Sequence, residues 1–204
     1  MMKKAEAGRF TIILLAAGPS SRLGQAKQLV RFDGESLVRR AARVALSLEP
    51  VSITVVTGFA DNAVEHELRD LPVRLTRNDE WAQGMGGSIA CGVRSISERV
   101  DGVLVMLCDQ WRIDTTDLTR VISAWNSDIS RIIAASWCEQ KATIYGAPTL
   151  FPCKYIRELQ NLSGCRGAKA IIDQNLAKVQ FVELKNAACD LDRPEDLEQL
   201  LKLS

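Results

Sequence analysis

Histidine is nearly absent: His66 stands alone among 204 residues. The six cysteines form no Cys-x-x-Cys pair, aromatics make up 5% of the chain, and opposite charges almost cancel to a net +1. Each shortage removes a class of function. One imidazole cannot build a His-rich metal site. His66 sits among Glu65, Glu67 and Arg69, as on a solvated helix face, where nothing completes a Ser-His-Asp or Cys-His hydrolytic group. Cys91, Cys108, Cys138, Cys153, Cys165 and Cys189 lack zinc-site spacing. With no secretory signal in residues 1–9, they read as reduced thiols of a cytoplasmic protein. The apolar run 11–17 is far shorter than the roughly 20 residues a membrane-spanning helix needs. Balanced charge leaves no basic field for nucleic acid. These readings predict neither a membrane nor a nucleic-acid partner.

What is present is an alternation of apolar, β-branched runs with helical patterns. Strands are predicted at 11–16, 52–57, 73–76, 102–108, 131–137 and 179–184. Helices are predicted at 36–48, 62–69, 88–99, 115–125, 152–161, 167–174 and 194–203, with residues 84–87 as a loop. The continuous apolar run 102–108 suits a central parallel strand. Such alternation predicts a three-layer α/β domain with a mainly parallel, Rossmann-like sheet, spanning 1–204 as one unit. Ligands of such sheets lie beyond the carboxyl ends of the strands.

Four elements could carry chemistry, and two of them, the loop after the first strand and the Asp109 corner, fall on that edge. The first strand breaks into Leu15-Ala-Ala-Gly-Pro-Ser-Ser-Arg-Leu-Gly-Gln-Ala-Lys27, a glycine-containing loop with cations at Arg22 and Lys27. Backbone N–H groups freed by Gly18 and Gly24, with those cations, suit a triphosphate. The spacing is neither that of a P-loop nor that of a dinucleotide fingerprint. Asp109 ends the buried strand 102–108, a good position for a hard divalent cation, because Asp114 and Thr115 stand nearer the next helix start. In Asp190-Leu-Asp-Arg-Pro-Glu-Asp196, alternation puts Asp190 and Asp192 on one side. Asp192 reads as a helix N-cap with Glu195, leaving Asp190 as the second metal ligand. In 78–88 the glycines permit close approach, and Asn78 and Ser88 offer hydrogen bonds suited to a base edge; a plain flexible loop fits that stretch equally. A phosphate nucleophile is already anionic at neutral pH, so the scarcity of histidine fits nucleotidyl transfer.

The ordered set narrows the reading. Leu15-Ala-Ala-Gly-x-Ser-Ser-Arg-Leu-Gly-x-x-Lys27 with Gln28-Leu29 resembles the signature of nucleotidyltransferases with the GT-A-like (nucleotide-diphospho-sugar transferase) fold. Asn78-x-x-Trp81-x-x-Gly84-Met85-x-x-Ser88, Cys108-Asp109-Gln110, Gly146-x-Pro148-x-x-Phe151, Gly164-x-x-Gly167-Ala168 and Asp190-x-Asp192-x-Pro194-Glu195-Asp196-Leu197 follow in order. Together they are similar to the molybdenum-cofactor cytidylyltransferases, the MobA/MocA-like branch. The resemblance implies a Mg²⁺-dependent enzyme. It moves CMP from CTP onto the terminal phosphate of molybdopterin, releases pyrophosphate, and serves a molybdoenzyme. It implies that Lys27, Arg22 and Asp109 carry catalysis. Leu15, Ala16, Ala17, Gly18, Ser20, Ser21, Arg22, Gly24, Lys27, Asn78, Gly84 and Ser88 bind the nucleotide, and Asp109 and Asp190 hold Mg²⁺. Ala17, where guanylyl relatives tend to carry glycine, favours CTP. The chain departs from the family pattern at Trp111 for Pro, Ala147 for His, Cys165 for Asp and Arg193 for Thr. The first three are expected to face the acceptor. They keep open another phosphorylated acceptor, such as a sugar or polyol phosphate, and a non-catalytic cofactor carrier.

Overall fold

A computed structural model describes residues 7–20 and 23–202. Its centre is a seven-stranded sheet in the order β5-β4-β1-β6-β8-β7-β9. These strands are β1 (Phe10–Leu15), β4 (Ile53–Thr57), β5 (Arg74–Arg77), β6 (Gly102–Leu107), β7 (Ile132–Glu139), β8 (Ala142–Pro152) and β9 (Val179–Glu183). β8 runs against both its neighbours, while every other pairing is parallel. Two short strands, β2 (Arg31–Phe32) and β3 (Glu35–Ser36), form a separate ribbon. The mainly parallel sheet agrees with the alternation in the sequence.

Period-two alternation sorts the core into layers. Ile12 and Leu14 of β1 face a cluster with α1 (Leu37–Leu46), α2 (Asp61–Leu68) and α4 (Thr115–Ser127). Ile13 and Leu15 face another with α3 (Met85–Arg94), α5 (Ile156–Gln160) and α6 (Lys169–Gln174). The result is helix, sheet, helix. A third cluster lies apart: Leu23, Val30, Phe32, Leu37, Trp111 and Leu191, closed by Leu200 of α7 (Pro194–Leu201). Among the described residues no helix is long and apolar enough to cross a membrane.

Local chemistry explains most boundaries. Ser36 caps α1, its hydroxyl accepting the Arg39 N–H, and Asp114 caps α4 in a reciprocal capping box with Asp117. Two expectations change. Residues 85–87, expected in a loop, instead form the first turn of α3. Gly84, at φ +121°, breaks the chain before it. A Cβ on Gly86 would lie 2.6 Å from the Ser163 carbonyl oxygen, so close packing overrides poor helix propensity. The antiparallel β8 carried no sequence prediction, because Gly146-Ala147-Pro148 reads as a breaker. Its register with β7 slips there, from Thr149 opposite Ala134 to Gly146 opposite Ala135. Ala147 and Pro148 are thereby left out of the ladder, which accommodates a proline within the strand.

Candidate active site

The chain turns one way from β1 to β4 and β5, then crosses back to place β6 on β1's other side. Loops leaving β1 and β6 diverge there and open a crevice at the strands' carboxyl ends. A pocket of about 420 Å³ fills it. Leu15–Pro19 forms one wall, Trp81 to Ser88 the facing wall, Leu107–Asp109 the back, and Lys27 with Gln28 the polar end. Three of the four predicted elements of the site therefore meet: the β1 loop, the 78–88 segment and the Asp109 corner.

The fourth arrives through the backbone. The Leu191 N–H donates to the Asp109 carbonyl at 3.1 Å, so Asp190 and Asp192 flank the corner after β6. Lys27 reaches into this group. Its Nζ donates a very short hydrogen bond to Asp109 and another to Asp192 Oδ1 at 2.8 Å. Burial pulls the Lys27 pKa down, but the carboxylates of Asp109 and Asp192 more than offset it, so the ammonium is held charged. Asp190 makes no such ion pair among the described residues. Partial burial, then repulsion from Asp109 and Asp192, pushes its pKa up to about 6. Gln110 braces the corner, donating to the Ala147 carbonyl at 2.8 Å and the Ala187 carbonyl at 2.9 Å. Burial raises the Cys108 thiol far above its usual range, which leaves it inert as a nucleophile.

Several sequence-predicted residues occupy other positions. Ser20, at φ +54°, accepts the Lys27 backbone N–H on its hydroxyl at 3.1 Å, and Gly24 donates its own N–H to the Ser20 carbonyl at 3.2 Å. Neither lines the pocket, and both shape the loop. Ser21 and Arg22 lie outside the described residues. Asn78 sits behind the wall, its amide donating to Ser88 Oγ at 3.0 Å and accepting the Glu80 N–H at 3.1 Å, whereas Gly84 and Ser88 line the pocket.

Two expectations are corrected. Asp192 does not cap α7. The cap residue is Arg193, and Asp196 accepts the backbone N–H groups of both Asp192 and Arg193, at 3.0 and 2.8 Å. Freed from capping, the Asp192 carboxylate pairs with Lys27. Trp111 does not face the acceptor end. It is buried in the third cluster, edge-on to Phe32 at 5.1 Å. Sequence reasoning left Gln28 and Gln110 without roles; an amide beside a charged motif residue gives only a faint signal. Trp81 stood in a motif but carried no assignment, and it lines the pocket.

The donor set suits a hard cation, being oxygen only. Among the described residues no three His, Cys, Asp or Glu side chains are arranged to enclose one. Asp109 and Asp190 are the residues that would hold a cation, in the way Mg²⁺ is commonly held, through one or two carboxylates with substrate phosphates completing the shell.

Comparison with known proteins agrees with this geometry. GlmU, a bifunctional protein of Streptomyces coelicolor, is 28% identical over 139 residues; these are 66% of this chain and 29% of GlmU, so the chain matches under a third of that relative. The purine catabolism protein PucB of Bacillus subtilis is 25% identical over 199 residues, covering 92% of this chain and 94% of PucB. The crystal structure of Rv0371c from Mycobacterium tuberculosis superposes with a TM-score of 0.83 at 23% identity, covering 96% of this chain and 98% of that one. Rv0371c is also known as a manganese complex (TM-score 0.77, 20% identity, 96% and 100% covered). The CMP:2-keto-3-deoxy-manno-octonic acid synthetase, solved with CTP, has a TM-score of 0.73 at 15% identity, covering 96% of this chain and 98% of its own. The profile of the MobA-like NTP transferase domain matches residues 12–179, and the chain belongs to that family of nucleotidyltransferases.

Proposed function

We propose that this nucleotidyltransferase moves CMP from CTP onto the terminal phosphate of molybdopterin, with a divalent cation at Asp109 and Asp190. The observation that carries the reading is the two-ended pocket. Leu15, Ala17, Trp81 and Met85 give it apolar walls suited to a base, and Lys27 between the Asp109 and Asp192 carboxylates gives it a charged end suited to phosphates and a cation. The acceptor's phosphate oxygen attacks the α-phosphorus, a new P–O bond forms, the α–β bridge breaks and pyrophosphate leaves. The nucleophile needs no general base, so the chain's work is alignment and neutralisation. Lys27, kept charged, releases its carboxylates to meet phosphate oxygens. Bound at Asp109 and Asp190, Mg²⁺ would supply further neutralisation of the triphosphate, and the manganese complex of Rv0371c supports a divalent cation here.

The Ala17 methyl, on the pocket wall, supports the smaller pyrimidine. The family supports molybdopterin, and the burial of Trp111 removes one of three departures that counted against it. All six cysteines are free thiols, in keeping with a reducing cytoplasm. The test is pyrophosphate release over a panel of CTP, GTP, UTP and ATP against molybdopterin, sugar 1-phosphates and polyol phosphates, with Mg²⁺. Turnover with CTP and molybdopterin alone is expected. Turnover with a sugar phosphate instead moves the acceptor assignment. Binding of CTP without turnover on any acceptor makes the protein a carrier.

A further inference from the structure

Gln28 is the least exposed polar side chain of the pocket, at 1% of its free surface. Its amide nitrogen donates to two carbonyls of one loop, Ala16 at 2.9 Å and Gly18 at 2.7 Å. Only the NH₂ side of an amide can face two carbonyls, which fixes its orientation. Among the described residues its buried oxygen Oε1 has no partner. An orphaned buried acceptor is costly and calls for a reason.

The reason lies in the peptide planes it sets. In a trans peptide the N–H points opposite the preceding C=O. Fastening the Ala16 carbonyl to Gln28 turns the Ala17 N–H away from Gln28. The Ala17 carbonyl is held in turn by the Phe59 N–H at 3.0 Å, which turns the Gly18 N–H away from Phe59. Neither N–H finds an acceptor among the described residues, and both residues line the pocket. A Cβ on Gly18 would meet nothing within 4 Å, so its side of the wall is open to a ligand. An unpaired backbone N–H beside a cavity is a donor left for a ligand, and two in succession suit an anion. The same 3₁₀ turn, Lys27–Leu29, carries Lys27 to the carboxylates and Gln28 to the loop after β1.

We infer that Gln28 is a positioning residue: by holding the Ala16 and Gly18 carbonyls it keeps the Ala17 N–H, beside the Gly18 N–H that Phe59 sets, free to donate to an oxyanion of the polyphosphate. This rests on the nucleotidyl-transfer reading. Gln28 touches no phosphate itself. It acts by keeping the carbonyls of the loop away from the anion, which they would otherwise repel.

The test uses tripolyphosphate as probe, by calorimetry and by backbone amide NMR. On the unchanged chain, the Ala17 and Gly18 amide resonances should shift most on titration, while the Gln28 side-chain protons stay protected from exchange. Gln28→Met keeps the volume and removes both donors; its affinity should fall by about tenfold or more. Gln28→Glu adds a charge beside the carbonyls and should bind more weakly still. In turnover, the KM for CTP should rise in Gln28→Met with kcat largely kept, a split that loss of folded protein does not produce. Unmoved Ala17 and Gly18 resonances with tripolyphosphate bound overturn the inference, whether or not the variants fold. So does undiminished affinity in folded Gln28→Met; both results leave the transferase reading standing. If the unchanged chain binds neither tripolyphosphate nor any nucleoside triphosphate, that reading fails and the inference with it.

Discussion

Lys27 is the residue at which structure and chemistry meet, because it is clasped before any phosphate arrives. Its ammonium bridges Asp109 and Asp192, and each side chain lies partly out of water. Replacing it by Met removes a cation from the charged end and leaves two carboxylates facing each other. Turnover should fall by about 10²–10³-fold, with folding retained by circular dichroism; near-normal turnover would refute the assignment. Asp190 behaves oppositely. Its folded pKa, raised to about 6, stands above the unfolded value near 3.8, so the ionised carboxylate opposes folding once the pH passes that window. Asp190→Asn should therefore raise the melting temperature at pH 7 by about 1–3 °C after discounting for solvent screening. The gain should vanish by about pH 3, where both states are largely protonated, and the same variant should lose turnover. The α7 cap separates the two neighbouring acids. Asp196→Ala should cost about 1 kcal/mol in urea unfolding, whereas Asp192→Ala should cost turnover and leave the helix cap intact. The motif signalled acids here, yet their division of labour was illegible: Asp192 and Asp196 differ only in which partner comes within reach.

At the scale of elements, glycines that look alike in sequence do different things. Gly86 lies in the first turn of α3 against the 163–164 backbone, to which its N–H also donates, reaching the Gly164 carbonyl at 2.8 Å. Gly86→Ala would drive a methyl into main chain, and a loss of about 1–3 kcal/mol is expected in denaturant titration. Gly18→Ala meets no protein atom and should fold normally, yet raise the KM for the triphosphate. A stability loss in Gly18→Ala with unchanged KM would reverse these roles. Strands and helices were readable because their periodicity is local. The start of α3 and the whole of β8 were not, because partners distant in sequence decide them: Ser163 and Gly164 for one, the bulged pairing with β7 for the other.

At the scale of the molecule, the site rests on a third core that no periodicity announces. Phe32 of the β2–β3 ribbon, Trp111 after β6, and Leu191 and Leu200 near the chain's end contribute one or two side chains each. They are spread over some 170 positions, so no sequence window contains the cluster. It packs directly below the acids: Trp111 and Leu191 both donate backbone N–H groups to the Asp109 carbonyl, at 2.9 and 3.1 Å. Trp111 is therefore a keystone for Asp109, Asp190 and Asp192, and the family's proline at this position would have to do without its ring. Trp111→Ala should cost about 3–5 kcal/mol of stability. It should also lower turnover on every acceptor alike, since it loosens the acids and touches no acceptor. The Arg40 side chain, which donates to the Trp111 carbonyl at 3.0 Å and lies over the Phe32 ring, keeps its backbone contact in that variant, so the loop is loosened and not detached. Stability and turnover measured together on two acceptors decide the matter. A change in the ratio of rates between acceptors, with stability unaltered, would return Trp111 to the acceptor's side of the crevice.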